Sequence, residues 1–227
     1  MLVGLPDQRL KRIGPKGLDD ASHDYVDGRA ELAFHLSGSL DSSILEDWAC
    51  HVASIHPARA FAHPERVMDQ MRGTWVTAEG DLEALSRLQS LFVESGARWQ
   101  TIERVNKPLY HAATVVASNY LVTLTAMARD LARGAGFEDL ESQAFLTELQ
   151  SGTLANLAQV DAAQALTGPI ERGDLDQVER LQRAMVAAHP DRRALLSALG
   201  LETLELAQRA RGPVLEDDQM RALFTSP

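Results

Sequence analysis

Beyond about residue 105 every periodic stretch of the chain has helical spacing, and before it short apolar runs alternate with turn signals. That change of grammar constrains the fold more than any single motif. "HAATVVASNYLVTLTAMARDLARGAG" (111–136) is long, alanine-rich and apolar on most faces, and Gly134 and Gly136 are placed to end it. A helix this apolar is expected to be a buried central helix, within one domain or across a dimer. Helices are also expected within 140–168, 175–188 and 191–212, and no strand after about residue 105.

The preceding residues read differently. "MLVGLP" (1–6), "ELAFHLS" (31–37), "HVASIHP" (51–57), "TWVTAEG" (74–80) and "ARWQTIE" (97–103) have the length and composition of strands. Between the last two, Leu82, Leu85, Leu88, Leu91 and Phe92 recur at helical spacing, and Gly96 stops the run. Strand, helix, strand is the order of an α/β layer with parallel pairing. Residues 7–30, broken by Gly14, Pro15, Gly17 and Gly28, read mostly as loop. The expected domains are therefore 1–104, α/β, and 105–227, all-α, with a boundary near 104–106.

Composition removes several function classes. The formal net charge of −10 argues against nucleic-acid or anionic-membrane binding, although a local basic pocket could survive it. Cys50 is the single cysteine, so an intramolecular disulfide and a cysteine-built zinc site are out, and no metal is expected. No stretch approaches the roughly 18 apolar residues of a membrane span, and a signal-peptide pattern is lacking, so the expected location is cytoplasmic.

The richest chemistry lies in "NKPLYHAATVVASNY" (106–120). Asn106 is a good helix cap and Pro108 suits a first turn. Lys107 would then sit at the positive end of a long helix, which favours its neutral form if it is also desolvated, as a general acid or base requires. At about 100° per residue His111 lies roughly 40° around from Lys107, and Asn119 about 80° beyond. The three share one side of an apolar helix, and spacing alone fits a surface lysine and two buried, satisfied polar residues better than a catalytic set. His56 before Pro57 is held extended at a strand end, where α/β folds place ligand groups; a structural turn histidine looks the same. Ser37, Gly38 and Ser39 could bring backbone N–H groups to an anion, as could many Gly-Ser turns. In "AEGD" (78–81) Asp81 reads as a helix cap without chemistry. In "ALTGPIERGD" (165–174) Gly168-Pro169 ends one helix and Asp174 can cap the next, leaving Arg172 to pair with a carboxylate or phosphate, or with solvent.

"HLSGS", "SIHPARAF", "AEGD", "KPLYHAATVVASNYLVTL" and "ALTGPIERGD", in this order and spacing, resemble a family of Rossmann-type oxidoreductases whose C-terminal part is catalogued as domain of unknown function 2520. The resemblance runs from about residue 31 to 210. It implies the layout of 6-phosphogluconate dehydrogenase, ketopantoate reductase and pyrroline-5-carboxylate reductase: a Rossmann-like parallel sheet, then a helical domain that dimerises and helps form the substrate cleft. Related β-hydroxyacid dehydrogenases use a lysine, with an asparagine further along the same helix, at the reacting carbon. Lys107 and Asn119 are the positions here that resemble them, at a wider spacing. On this reading Lys107 moves a proton, His111 and Asn119 orient a small substrate, and Ser37, His56 and Arg172 contact it.

The resemblance also implies a cofactor, NADP or NAD, near Pro6, Asp7, Ser37 and Gly38. The sequence has no G-x-G-x-x-G, however, and "MLVGLPDQ" resembles the fourth strand of the family. The expectation is a partial Rossmann-like domain that begins partway through, lacking on the order of 80 residues of the mononucleotide-binding half. Two functions follow: a homodimeric NAD(P)-dependent oxidoreductase acting on a small carboxylate-bearing carbonyl, hydroxy acid or imine, or a non-catalytic helical protein for dimerisation or small-ligand binding.

Overall fold

The structure, a computed structural model, describes residues 2–3, 25–26, 29–59 and 70–225. Its contacts divide the chain into two compact units, Met1–Leu121 and Val122–Pro227. The division falls beyond the change in composition because the first helix after it is bonded through Lys107 and Tyr110 to a strand of the first unit.

The first unit is built on a six-stranded sheet. Its strands are β1 (Leu2–Val3), β2 (Tyr25–Val26), β3 (Arg29–His35), β4 (Ala49–Pro57), β5 (Trp75–Gly80) and β6 (Arg98–Thr101). The order is β1-β3-β4-β5-β6, with β2 paired to β3. β1, β3 and β4 run parallel to one another, and β5 runs parallel to β6 across helix α1 (Leu82–Glu94). The sheet is not wholly parallel, however: β5 lies antiparallel to β4, and Pro57 faces Val76. The chain leaves the end of β4 and re-enters at its neighbour on the same edge, whereas a parallel pair needs a connection that crosses to the other end.

Alternation along the strands divides the core between the two faces. Leu32 and Phe34 lie against a cluster that includes Ala53, Ile55, Val76, Ala78, Leu85 and Leu88. Ala33, one residue out of phase, joins Leu45, Trp48, Ala49 and Val52. Gly80, at φ +140°, ends β5 where a Cβ would lie 2.7 Å from Cα of Ala53, so no larger residue fits between the strands. Asp81 stands at the N-cap position of α1 but does not cap it. Its carboxylate turns back across the sheet and accepts from Val52 N at 2.9 Å.

A turn over Arg104–Asn106 leads into α2 (Lys107–Thr114), a π-helical stretch over Val115–Tyr120, and α3 (Leu121–Gly134). Asn106 makes no side-chain cap, because the preceding turn already has helical geometry at its φ of −88° and ψ of 0°. The helical run expected at 111–136 is present, but it is not buried within the chain: only Met127 and Ala132 of α3 are buried, and Val116 and Val122 are exposed.

The second unit continues with α4 (Asp139–Leu157), α5 (Ala162–Ala165), α6 (Pro169–Arg172), α7 (Leu175–Ala188), α8 (Arg193–Arg211) and α9 (Asp217–Thr225). Its core joins Val178, Leu204, Met220 and Phe224. Gly200 of α8 admits the Phe224 ring, since a Cβ there would sit 2.6 Å from ring Cδ1. Among the described residues no helix is long and apolar enough to cross a membrane.

The short α6 resolves the composition of "ALTGPIERGD". Gly168 (φ +110°) and Gly173 (φ +73°) bracket one turn of helix, and Asp174 caps α7 by accepting from Gln177 N at 3.1 Å. The turn is held from outside by Arg211, which donates to the carbonyls of Glu171 (2.5 Å) and Ile170 (3.3 Å). Asp217 in turn pairs with Arg211 at 2.7 Å.

Candidate active site

The ends of β3 and β4 carry the polar residues of the first unit. His35, fully buried, donates from Nε2 to the Asp41 carbonyl (3.1 Å) and accepts at Nδ1 from Ser37 N (3.1 Å), which fixes its tautomer. The Ser37 hydroxyl accepts from Ser39 N (3.1 Å) and Leu40 N (2.9 Å). Next along, the buried carboxylate of Glu79 accepts from Ser42 N and Ser42 Oγ, both at 2.8 Å, with Arg104 Nε 3.5 Å away. The loop after β3 is therefore closed on itself and tied to β5.

Helix α2 is joined to the same strand ends. Lys107 is fully buried and its Nζ donates to Ser54 Oγ of β4, whose own hydroxyl reaches the carbonyls of Ser37 and Leu40 (both 3.3 Å). The chain of bonds runs from amine nitrogen to hydroxyl to loop carbonyl, so Lys107 anchors helix, strand and loop together. One turn on, the Tyr110 hydroxyl meets His56 Nδ1 at 2.7 Å. Burial pushes the Tyr110 phenol above its usual value of 10, against a smaller pull from the Thr77 hydroxyl. A phenol so held remains a hydrogen-bond donor.

His56 and His111 lie edge to face, with ring centroids 6.2 Å apart. Gly38 makes room for both: a Cβ there would stand 2.7 Å from His111 Nδ1 and 2.9 Å from His56 Nε2. The rings open on a cleft of about 560 Å³ lined by His56, Arg59, His111, Thr114, Ser118 and Asn119, with two alanines. Asn119 reaches this wall through the π-helical stretch, which takes more residues per turn than an α-helix and so changes the angular offset expected from α spacing.

The structure thus brings His56, His111 and Asn119 to one cleft and sets Gly38 against the two imidazoles. Lys107 and Ser37 are placed in the bonded framework beneath it. Arg172 belongs to the second unit, where its side chain is exposed. Pro6 and Asp7 lie outside the described residues. Sequence reasoning missed Tyr110, Ser54, Glu79 and Arg59. Tyr110 and Arg59 could have been suspected, being next to His111 and three residues after His56; nothing in the sequence pointed to Ser54 or Glu79.

The loop after β3, as it is bonded, offers no ready pyrophosphate cradle through five of its N–H groups. The N–H groups of Ser37, Ser39, Leu40, Ser42 and Ser43 already have acceptors in His35, Ser37, Glu79 and Asp41. A pyrophosphate cradle needs such groups open to the ligand.

A six-stranded sheet followed by a helical unit, with polar residues gathered at the ends of parallel strands, defines a Rossmann-like α/β protein with a helical second unit. The chain belongs to the DUF2520 family, a domain of unknown function whose model matches residues 74–203. Among solved structures it is similar to protein TM1727 of Thermotoga maritima, at 25% identity and a TM-score of 0.75 over 92% of this chain and 78% of that one. It is also similar to BF3122 of Bacteroides fragilis, a candidate NADP oxidoreductase, at 20% identity and a TM-score of 0.71 over 90% and 74%. A pyrroline carboxylate reductase of Plasmodium falciparum with NADP bound shares the fold at 10% identity and a TM-score of 0.50, over 86% of this chain and 68% of that one. No curated protein matches.

Proposed function

We propose that the chain is the substrate-binding and proton-handling part of an NAD(P)-dependent oxidoreductase that acts on a small carbonyl, hydroxy acid or imine. The observation that carries this is the cleft at the ends of β3 and β4, where two imidazoles, one bonded to a half-buried phenol, face amide and hydroxyl side chains in an oxidoreductase-like fold. Reduction of a carbonyl or imine requires a proton at oxygen or nitrogen, and imidazole exchanges protons near neutral pH. On this reading His111 and His56 move that proton and Tyr110 fixes the orientation of the His56 ring. Asn119 orients the substrate, and Lys107 positions the loop through Ser54. The nucleotide supplies hydride when bound; none of these roles runs through it.

Titration with NADPH and NADH, followed by nucleotide fluorescence and thermal shift, is the first test, and turnover of small keto acids and cyclic imines is the second. Saturable binding, with turnover lost in His111→Ala, supports the reading. Absence of binding at millimolar nucleotide removes it.

A second reading, a non-catalytic dimerisation protein, has its own observation: Leu140, Leu149, Leu154 and Leu157 of α4 are all exposed. Exposed apolar surface of this kind suits burial against a second copy. Nucleotide binding separates the two readings; sedimentation does not, since the enzyme reading also expects a homodimer, and a stable monomer at micromolar concentration would count against both.

A further inference from the structure

We propose that Arg59 is the oxyanion-binding residue of the cleft and that the ligand carries a small carboxylate or phosphate group. This deepens the preceding reading, resting on it only for the claim that the occupant is a substrate. In a chain of formal net charge −10, the described residues that line this cleft hold one guanidinium, two imidazoles and no carboxylate. That local reversal of sign favours an anionic ligand over a neutral or cationic one.

Arg59 is also held in a way that suits the role. Its backbone is fixed at the end of β4, where Ala58 N donates to the Trp75 carbonyl at 2.7 Å and Arg59 N to the Pro57 carbonyl at 2.9 Å. Among the described residues its side chain is anchored through Nη1 alone, to the Gln70 carbonyl (3.2 Å) and the Thr74 hydroxyl (3.3 Å). Among the described residues it has no acidic partner. The remaining guanidinium edge, Nε with Nη2, is the fork that matches two oxygens of one carboxylate or phosphate. Neutral polar side chains, Thr114, Ser118 and Asn119, line the same cleft. Its volume of about 560 Å³ lies in the range of small-molecule sites.

The test uses the whole chain and two probes, oxalate and inorganic phosphate, in calorimetric titrations and in ¹⁵N spectra of the histidine side chains. At least one probe is expected to bind at millimolar concentration or tighter and to shift the imidazole signals of His56 and His111. Oxalate alone would identify a carboxylate, phosphate alone a phosphate ester. Arg59→Gln should weaken binding at least tenfold, and Arg59→Lys should fall between, keeping charge but losing the fork. Arg180→Gln, on the exposed face of α7, should bind like the parent. If Arg59→Gln does not fold, Arg59→Lys alone must still show the loss. Equal affinity in the parent and the Arg59 variants overturns the proposal, as does the absence of imidazole shifts up to tens of millimolar of either anion. The readout needs no nucleotide and no turnover, so failure of the oxidoreductase reading leaves the anion result standing, and failure here leaves nucleotide binding untouched.

Discussion

Replacing Asp217 by asparagine should release the turn at 168–174 from the second unit. Asp217 is 2% exposed. It accepts from Arg211 at 2.7 and 3.2 Å, from Val214 N at 2.9 Å and from Gln208 at 3.0 Å. The Arg211 guanidinium beside it, with the Val214 and Gln208 bonds, overcomes the opposing effect of burial and holds the carboxyl at about 2, below the usual 3.8. A carboxylate with a depressed folded-state pKa contributes stability that is fully present above the unfolded value and is lost as pH falls through the folded one. The shift corresponds to about 2 kcal/mol at neutral pH, falling to about 1 kcal/mol at pH 3. Asparagine also turns an N–H₂ toward donors and leaves the Arg211 charge without its partner, so the variant should be destabilised by about 3 kcal/mol at pH 7. Urea unfolding of both proteins at pH 7, 5, 4 and 3 measures this. The difference should hold between pH 7 and 5 and narrow by about 1 kcal/mol by pH 3. A difference that stays constant across that range would refute the assignment of the titrating stability to Asp217.

Three other outcomes are expected. Gly200→Val forces a side chain into the Phe224 ring and should cost about 1–3 kcal/mol in denaturant unfolding, with the sheet unit's Trp signals unaffected at low denaturant. Gln182 is 6% exposed, its Oε1 has no partner, and it borders an apolar cavity of about 230 Å³, so Gln182→Met should raise stability by about 1 kcal/mol in the same assay. In alkaline absorbance titration one of the three tyrosines should ionise later than free tyrosine, and Tyr110→Phe should remove that late step. Because the folded state disfavours that phenolate, stability should decline as pH rises above the ordinary tyrosine value.

The sheet was legible because alternation and turn residues coincide: β4 and β5 begin and end within a residue or two of the expected runs. The existence of α1 was legible from its leucines, but its inner face was not. Leu82 and Leu91 point outward at 87% and 60% exposure, and Ala84 is buried, because packing on the sheet selects the face by shape as much as by hydropathy. The reversal between β4 and β5 and the π-helical stretch left no periodic signature, since each depends on where the chain returns rather than on local preference. In the site, His56, His111 and Asn119 could be named from motif positions. Tyr110 stood beside His111 unremarked because period-based reasoning assigns adjacent helical residues to different faces, yet both reach the end of β4. Glu79 was passed over as one letter of a turn, and its importance comes from Ser42, a residue far away in sequence.

The carboxylate of Glu79 ties down the loop after β3 by accepting from Ser42 N and Ser42 Oγ. A loop with a built-in counterion has the same shape whether or not a ligand is present. Binding at the neighbouring cleft therefore needs no disorder-to-order transition there, and its affinity carries no folding penalty from that segment. It also separates two evolutionary variables. Residues such as Arg59 and Asn119 can be exchanged to suit a new ligand one at a time, and the platform that presents the cleft stays folded throughout.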